Sequence, residues 1–409
     1  MSERCGCCIV GGGPAGMMLG LLLARAGVDV LVLEKHADFL RDFRGDTIHP
    51  STLEVMHELG LLDDFLALPH QELRELSAQV GDVRVPIADF THLSTRCKFL
   101  AFMPQWDFLD FLATRAARYP SFRLWRRAEA TGLLEEPGRV VGLEIMTPEG
   151  RREVRADLVV GADGRRSVVR AKAGLEVLEF GAPMDVLWFR LSKRPDDPAA
   201  SMGRFGDGRI FILINRDTYW QCGYVIAKGT IDEIRRQGIE AFRESVARVV
   251  PFPRDRVGEL RSWEDVSLLT VQVDRLSRWY RPGLLCIGDA AHAMSPVGGI
   301  GINVALQDAV AAANLLAAPL AEGRLTVEDL AKVQRRREMP TRVTQWLQVQ
   351  AQKRVIAPVL AGAAPSRLPL ALRLLRRFAV LRRFPARLIG IGVRPEHVRT
   401  ADAASKRAS

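Results

Sequence analysis

A glycine-rich turn close to the N-terminus constrains this chain more than any other stretch. Gly11, Gly13 and Gly16 stand at the G-x-G-x-x-G spacing, directly after the apolar residues Cys8 to Val10. The first glycine allows a tight turn, the second lets a pyrophosphate approach the backbone, and the third lets a helix pack closely on a strand. The N-terminus of that helix also offers unpaired N–H groups to phosphates. The turn therefore predicts a dinucleotide-binding site at the start of an α/β domain.

The residues after the turn continue the same pattern. A helix is predicted over Met17 to Ala26 and a strand over Val28 to Leu33, and Glu34 stands at the end of that strand, eighteen residues beyond Gly16. A carboxylate at this place suits the ribose hydroxyls of adenosine and would repel a 2′-phosphate. Strand, helix, strand and acid in register favour dinucleotide binding over the alternative, a glycine turn with only a structural role.

Length and composition limit the class of protein. With 409 residues, of which 48% are hydrophobic, the chain suits two domains or one large α/β body with an insertion. The net charge of +10 is spread along the chain and is heaviest after Arg335, without a basic motif module, so no nucleic-acid partner is predicted. The longest apolar runs, near Met17 to Ala24 and Ile300 to Leu306, are too short for a membrane span.

Cysteine usage and the N-terminus indicate a reducing compartment. Cys5, Cys7 and Cys8 resemble a metal cluster, but two of them fall on the first strand and no matching Cys or His pair follows. They are interpreted as small buried hydrophobic residues, and no metal site is predicted. The chain leads straight into the glycine turn, which predicts no signal peptide. A cytoplasmic location fits these observations.

Hydrophobic patterning predicts a nucleotide-binding body interrupted by a second sheet. Helices are predicted over 51–62, with Ser51 or Thr52 as the cap, and over 108–118, with Asp107 as the cap. A helix is also predicted over Arg235 to Val249, after strands at 186–191, 209–215 and 219–226. The predicted domains are a nucleotide-binding domain at 1–72, 97–175 and 276–362, an inserted sheet domain at 73–96 and 176–275, and a C-terminal helical segment with a tail at 363–409.

Two further motifs follow the glycine turn, and each comes directly after a predicted strand. They are Asp163-Gly164 and Gly288-Asp289. Together with the turn they resemble the class A flavoprotein monooxygenases, the family of para-hydroxybenzoate hydroxylase and the ubiquinone-pathway hydroxylases, over about Cys8 to Leu320. The resemblance implies a Rossmann-type FAD-binding domain with an inserted antiparallel β-sheet substrate domain. It also implies a cycle in which NADH or NADPH reduces FAD and a flavin hydroperoxide transfers one oxygen atom of dioxygen to an aromatic or enolic substrate.

The resemblance implies a role for particular residues of this chain. Glu34 would hold the adenosine ribose, Arg44 would lie near the pyrophosphate, and Gln105 would contact the ribityl and phosphate region. Asp163 would belong to the pyrophosphate side, and Asp289 would accept hydrogen bonds from the ribityl chain or ribose. For three of these residues the alternative to cofactor binding is a structural role. Arg44 would then be an exposed loop charge, Gln105 a contact at a helix N-terminus and Asp289 a helix cap. The full predicted cofactor set is Gly11, Gly13, Pro14, Ala15, Gly16, Glu34, Lys35, Arg44, Gln105, Asp163, Gly288, Asp289, Gly299, Gly301, Ile302 and Asn303.

The loop from Met294 to Asn303 is predicted to supply the chemistry. It leads into a helix, and the N-terminal amides of Ile302 and Asn303 would point at the flavin N1 and C2 carbonyl, where negative charge accumulates on reduction. Pro296 belongs to the same loop, and the glycines at 298, 299 and 301 leave room for the ring. No side-chain base is assigned.

No histidine of the chain is predicted to be a catalytic base. His292 follows the Gly-Asp pair and is interpreted as structural, and His36 and His49 carry weaker signals still. Competing functions are a flavin-dependent halogenase or reductase of the same fold, or a flavin-binding module without turnover. The segments at Trp188 and Trp279 do not match the W-x-W-x-I-P pattern of halogenases.

The inserted sheet is expected to hold the substrate. The strand from Arg209 to Asn215 is apolar on both faces, and an unpaired carboxylate buried there would lose several kcal/mol of solvation. A neutral, extended aromatic, quinol or polyketide-like substrate is therefore expected, with Arg190 and Arg204 as the first arginines to test otherwise. The expected wall is Phe211, Leu213, Gln221 and Tyr224, and a one-residue slip would instead present Leu213 with Trp220.

A basic amphipathic segment lies near the C-terminus. Between Leu368 and Arg387 leucine and phenylalanine alternate with six arginines. It is expected to pack on the flavin domain with its arginines in water. The alternative is peripheral contact with an anionic membrane surface. The oligomeric state is left open by the sequence.

Overall fold

The computed structural model describes residues 3–40, 47–198, 201–206, 208–362 and 369–403. Within these residues the strands, in chain order, are β1 (Glu3–Val10), β2 (Val30–Glu34), β3 (Thr47–Ile48), β4 (Gln71–Leu73), β5 (Glu75–Val80), β6 (Val83–Asp89), β7 (Leu100–Phe102), β8 (Phe122–Arg126), β9 (Glu129–Glu136), β10 (Arg139–Thr147), β11 (Gly150–Gly161), β12 (Val177–Glu179), β13 (Met184–Ser192), β14 (Met202–Gly206), β15 (Arg209–Asn215), β16 (Tyr219–Ala227), β17 (Ser267–Leu269), β18 (Asp274–Leu276), β19 (Tyr280–Arg281) and β20 (Leu284–Cys286).

The same residues form α-helices of between one and seven turns. They are α1 (Pro14–Arg25), α2 (Pro50–Glu58), α3 (Leu62–Leu66), α4 (Gln105–Ala116), α5 (Val168–Lys172), α6 (Ile231–Arg236), α7 (Gly238–Ala247), α8 (Gly301–Ala321), α9 (Val327–Ala351), α10 (Ala357–Leu360), α11 (Leu370–Arg377) and α12 (Arg383–Gly390).

A mostly parallel sheet forms the nucleotide-binding body. Its strand order is β19-β20-β11-β1-β2-β8. β10 pairs antiparallel with the first half of β11, and β9 pairs antiparallel with β10. β1 pairs in parallel with both β2 and β11, so the glycine turn that follows β1 lies at the carboxyl edge of the sheet, where ligands bind in such folds. The α/β fold expected from the glycine turn is confirmed.

Two buried apolar helices cover one region of this sheet. α1 and α8 pack against each other, and both consist largely of buried Leu, Ala, Met and Val. Among the described residues, the stretch Val297–Ala321 is long and apolar enough to cross a membrane, but 78% of its most apolar window is buried. This helix is therefore part of the core of the fold. The six cysteines are also buried and unpaired.

The inserted sheet is mainly antiparallel, with strand order β17-β13-β16-β15-β14-β5-β6, and only β14 and β5 pair in parallel. Its strands come from residues 75–89, 184–227 and 267–269, which lie inside the segments predicted for the substrate domain. The domain boundaries themselves stay a prediction. The helix predicted over Arg235 to Val249 is interrupted, because Gly238 has a φ of 88° and separates α6 from α7.

Two predicted helix caps are wrong for the same physical reason. α2 begins at Pro50 and α4 begins at Gln105 directly after Pro104, and neither helix receives a side-chain cap. Proline favours the first helical position or the residue before it because its φ is already fixed near the helical value. Asp107 therefore lies inside the first turn of α4 rather than at its cap.

Candidate active site

The three glycines of the turn serve two different purposes. A side chain at Gly16 would place Cβ 2.0 Å from the carbonyl oxygen of Gly11, and one at Gly11 would place it 2.4 Å from that of Ala162. At Gly13, by contrast, an added Cβ has no neighbour within 4 Å. Gly11 and Gly16 thus allow close packing, whereas Gly13 leaves open space beside the N-terminus of α1, which Pro14 and Ala15 begin. That cradle fits a pyrophosphate held by backbone amides.

Glu34 lies at the carboxyl end of β2, beside the glycine turn. Its carboxylate is buried and accepts hydrogen bonds from the amides of Gly12 at 3.1 Å and His36 at 3.0 Å. These bonds hold the acid at the edge of the sheet where a ribose would lie. Lys35 is exposed directly after it. Arg44 lies outside the described residues, so its predicted role stays a prediction.

The two motif aspartates have different surroundings. The Asp163 carboxylate accepts hydrogen bonds from the Ser167 hydroxyl at 2.5 Å and the Val168 amide at 2.7 Å, at the start of α5. Burial raises its pKa, and these bonds oppose the rise. Asp163 is thus engaged by its own segment.

Asp289 belongs to the motif that follows β20, and its side chain is 30% exposed. It accepts a hydrogen bond from the Nε of Arg165 at 3.0 Å. Sequence reasoning missed Arg165, which stands two residues after Asp163 in the same turn. Gly288 has a φ of 58°, and a Cβ there would lie 3.2 Å from the Cβ atoms of Ala15 and Ala305. Gly288 thus lets α8 approach α1.

The loop at 294–301, which we call the flavin loop, leads directly into α8. Gly298 and Gly299 both adopt the left-handed conformation, with φ of 79° and 63°. The first amide to donate inside the helix is that of Val304, to the carbonyl of Ile300 at 3.1 Å. The amides at the start of the helix, those of Gly301, Ile302 and Asn303, therefore have no helical acceptor and form its positive end.

The Asn303 side chain ties α8 to α2. Its Oδ1 accepts hydrogen bonds from the hydroxyls of Ser51 at 2.7 Å and Thr52 at 3.0 Å, and Asn303 is buried. These two hydroxyls, expected to cap α2, instead fix the N-terminus of α8. Gln105 is half-buried at the first position of α4.

Two glutamines of the C-terminal half hold the flavin loop. Gln348 Oε1 accepts a hydrogen bond from the Ser295 amide at 3.1 Å. Its Nε2 donates to the carbonyls of Ser295 at 2.9 Å and Val297 at 3.0 Å. Gln352 donates to the Ser295 hydroxyl at 2.7 Å. Pro296 lies between these anchor points. Sequence reasoning missed both glutamines, although their four-residue spacing, on one helical face, was the available signal.

A buried charged cluster lies behind the Gly-Asp motif. Asp308 of α8 is fully buried and accepts hydrogen bonds from His292 Nε2 at 2.5 Å, the Gly288 amide at 3.1 Å and Arg337 Nε at 3.0 Å. Burial acts to raise the pKa of Asp308, but the charges of His292 and Arg337 outweigh it and the pKa is lowered. His292 is buried in this cluster, which agrees with its structural interpretation.

The inserted sheet turns its two faces toward different neighbours. Phe211, Leu213 and Tyr224 are buried with Phe242 of α7, and the Phe211 and Tyr224 rings lie 6.3 Å apart. These three residues belong to the core between sheet and helix, so the prediction that they form the substrate wall is wrong. Trp220 lies in the same core, so the alternative register is wrong as well.

The opposite face lies against the flavin loop and against residues 356–360, which include α10. Ile212 and Ile214 are half-buried there beside Val297, together with the buried Trp188. Gln221 pairs with Ile214 across the strands and shares this face. Of the four predicted wall residues, only Gln221 thus lies toward the flavin loop.

One arginine lies closer to that face than the sequence suggested. Arg216 follows β15, and its Nε donates to Gln221 Oε1 at 3.1 Å. Burial raises the pKa of Asp107 on α4, and Arg216 lowers it, so the arginine also faces the nucleotide-binding body. Of the two arginines named from sequence, Arg190 is exposed but pairs with Gln221 across β13 and β16 and so shares this face, whereas Arg204 pairs with Phe211 on the α7 side.

Comparison with known proteins identifies a family. The protein-family model described as "FAD binding domain" matches residues 4–346 of this chain. The chain is 33% identical over 382 residues to 6-methylpretetramide 4-monooxygenase of Streptomyces rimosus, covering 91% of each chain. It is 25% identical to para-nitrophenol 4-monooxygenase of Pseudomonas sp. (strain WBC-3), over 78% of this chain and 80% of the relative. The solved structure of OxyS anhydrotetracycline hydroxylase from Streptomyces rimosus is similar with a TM-score of 0.75 and 26% identity, covering 95% of this chain and 76% of that one.

Proposed function

The chain belongs to the family of FAD-dependent aromatic monooxygenases, and from this premise we propose that it oxygenates a large, neutral phenolic or polyketide-like compound. It is an FAD-dependent monooxygenase that uses NAD(P)H as cosubstrate. One relative, which the chain covers almost completely, is named 6-methylpretetramide 4-monooxygenase, and others are named for anhydrotetracycline and rifampicin, which supports a large substrate of this kind. A cytoplasmic site of action is part of the same proposal.

The observation that carries the substrate class is the apolar sheet face toward the flavin loop. Ile212, Ile214 and Trp188 present hydrocarbon and aromatic surface there. A buried carboxylate on this surface would lose several kcal/mol of solvation without a partner. A flat apolar ring system would instead gain about 25 cal/mol for each Å² of apolar surface removed from water.

The polar end of the substrate is assigned to Arg216 and Gln221. Their hydrogen bond places a guanidinium and an amide together at one end of the apolar face. Such a pair suits a carbonyl, phenol or enolate oxygen, which accepts hydrogen bonds from both groups. One oriented oxygen at the end of an apolar body fixes which ring atom faces the flavin loop.

The remaining residues act on the cofactor. When bound, FAD supplies hydride acceptance from NAD(P)H and activation of dioxygen. The backbone at Gly13 would hold the pyrophosphate, with Glu34 and Asp289 on the ribose and ribityl hydroxyls. The amides of Ile302 and Asn303, positioned by Pro296 and the rest of the flavin loop, would stabilise negative charge on the reduced ring.

The substrate class is tested by substrate-stimulated NAD(P)H oxidation. We expect polycyclic phenols and quinols to stimulate oxidation and hydroxybenzoates to fail. Ile212→Phe should raise the KM of a polycyclic substrate about tenfold by filling the face toward the flavin loop, at a stability cost of about 1–3 kcal/mol where the ring crowds its neighbours. The matched control on the other face is Leu213→Ala, which should cost about 2–5 kcal/mol of stability while leaving KM unchanged at low temperature.

The opposite outcome would refute this assignment. Turnover of a simple hydroxybenzoate at micromolar concentrations, with no response to the larger compounds, would mean that a cation dominates the pocket. In that case Arg216 is the residue that would pair with the carboxylate. An equal KM effect from both variants would show that the two faces of β15 were assigned wrongly.

We also propose peripheral contact of the C-terminal segment with an anionic membrane. Between Leu368 and Glu396 the chain has seven arginines and no acidic residue. No residue of α11 is buried, and Leu370, Val380 and Phe384 are 63%, 60% and 74% exposed. α12 packs against the inserted sheet and α2 through Ala386 and Gly390, so only part of the segment follows the packing expectation. Basic charge beside exposed apolar side chains is typical of interfacial helices.

Flotation with vesicles tests this contact. We expect binding to phosphatidylglycerol vesicles at low salt and none to phosphatidylcholine, because lysine and arginine near an anionic surface each contribute about 1 kcal/mol. Phe384→Ser should reduce binding several-fold. Trp346→Ser is the control, since Trp346 is 60% exposed on α9, outside the segment. Absence of binding to anionic vesicles would remove the membrane proposal.

A further inference from the structure

One buried histidine connects the flavin loop to the C-terminal end of the chain. His49, directly before α2, has no exposed surface. Its Nε2 lies 2.9 Å from the carbonyl oxygen of Gly299 in the flavin loop. Its Nδ1 lies 2.7 Å from the carbonyl oxygen of Ile389, at the end of α12. A single imidazole ring thus joins two segments that are about ninety residues apart in sequence.

The two acceptors impose a condition on the ring. A neutral imidazole has one N–H, so it can donate to only one of two carbonyls. Burial lowers the pKa of His49, and the two carbonyl contacts oppose that shift. A ring in this place therefore responds to the position of both segments, because moving either carbonyl changes which nitrogen holds the proton.

The segment from 389 to 403, which we call the C-terminal strap, runs across the nucleotide-binding body. Arg336 and Glu396 form an ion pair of 2.6 Å. Asn314 of α8 donates to the carbonyl of His397 at 2.8 Å. At the far end Arg25 of α1 donates to the carbonyl of Thr400 at 2.6 Å. The strap is thus fastened to α1, α8 and α9.

Near its beginning the strap also touches the flavin loop directly. Ile389 packs with Met294, Ile300 and Val304, a small apolar cluster made of the loop and the first turn of α8. The hydrogen bonds of His49 lie beside this cluster. The position of Gly299, and of the helix amides that follow it, therefore depends on contacts with the strap.

We propose that His49 is a positioning residue that couples the C-terminal strap to the flavin loop. Through it the strap holds Gly299 in place, so that the amides of Ile302 and Asn303 stand ready for the flavin ring before FAD binds. In the reverse direction, FAD that orders the loop also orders the strap. His49 does not touch the reacting atoms and acts only through the loop.

The test measures FAD affinity and strap mobility in the purified protein. Apoprotein is titrated with FAD, and hydrogen exchange of the peptides covering 389–403 is followed with and without FAD. In the wild-type protein FAD should slow this exchange. His49→Leu removes the contacts of the ring with both carbonyls, including its one hydrogen bond, and should weaken FAD binding about tenfold. In this variant saturating FAD should no longer slow exchange in the strap.

Two further variants separate coupling from simple destabilisation. His397→Leu lies in the strap, but its ring pairs with Glu58 at the surface, so FAD affinity and FAD-dependent exchange should stay at wild-type values. His49→Gln keeps one amide donor and should fall between His49→Leu and wild type in both measurements. If His49→Leu is insoluble, His49→Gln decides, because undiminished slowing of strap exchange by FAD would contradict the coupling. Wild-type FAD affinity and exchange in His49→Leu would overturn the proposal.

Discussion

Gly13→Val should abolish FAD binding and leave the fold intact. An added side chain at this position meets no protein atom within 4 Å, so the apoprotein has space for it. That space adjoins the N-terminus of α1, where the pyrophosphate must approach the backbone. We expect the purified variant to be colourless, with a loss of FAD affinity of at least a hundredfold and a Tm close to that of the wild-type apoprotein. The measurements are flavin absorbance, FAD titration and circular dichroism.

Gly16→Val is the matched variant in the same turn. Its Cβ would lie 2.0 Å from the carbonyl oxygen of Gly11, which is backbone and cannot move aside. This variant should therefore lose the packing of α1 on β1 and fail to accumulate as folded protein. A yellow Gly13→Val protein would contradict the cofactor site, and a stable Gly16→Val protein would contradict the geometry of the turn.

Asp308→Asn should strongly destabilise the fold. The change removes the Asp308 carboxylate from the buried Arg337, which then keeps only Glu396 at 3.3 Å, and weakens the bond to His292. Breaking a buried ion pair in this way costs about 3–5 kcal/mol. Because Tm falls by about 2–4 °C per kcal/mol in domains of 150–250 residues, we expect a decrease on the order of 10 °C in thermal unfolding. The control is Asp255→Asn, whose partner Arg194 is exposed, and the expected change there is below about 1 kcal/mol.

The Asp308 carboxylate also makes the stability of the fold depend on pH. The pKa of Asp308 is lower in the folded chain than in the unfolded one, so the unfolded chain binds the proton more tightly. Its contribution is complete above the unfolded pKa and is lost as pH falls through the folded pKa. Wild-type stability should therefore decrease on acidification more steeply than that of Asp308→Asn. Parallel curves for the two proteins would show that folding does not shift the pKa of Asp308.

Much of the nucleotide-binding body could be predicted from local sequence. The turn at Gly11, Gly13 and Gly16 specifies its own geometry, since two of its positions tolerate no Cβ and the third faces open space. Glu34 and Asp289 follow buried strands, and strand ends meet at one edge of a parallel sheet. Each of these inferences depends only on neighbours in sequence and on the topology of the sheet.

The substrate face could not be predicted in this way. β15 is apolar on both sides, so the period of two in its side chains does not identify the inner face. Packing of α7 determines which face is buried in the core. Its Phe242 lies in one cluster with Phe211 and Tyr224, whereas Ile212 lies on the other side of the sheet. The orientation of β15 thus depends on packing between elements that are separate in sequence.

The links made by His49, Gln348 and Arg216 were hidden for a related reason. Each lies in or directly beside an element whose local pattern does not depend on it, and its partner is distant in sequence or on another strand. Only the assembled fold brings the donor to its acceptor.

The central claim is that this chain inserts one atom of dioxygen into a neutral phenolic ring system. The most direct measurement is mass spectrometry of the product formed by FAD-loaded protein, NAD(P)H and a polycyclic phenol under ¹⁸O-labelled dioxygen. We predict substrate-stimulated NAD(P)H oxidation and one labelled oxygen atom in the product. A product without label, or no NAD(P)H oxidation with any phenol or quinol, would contradict the claim and favour a flavin reductase or a flavin-binding module.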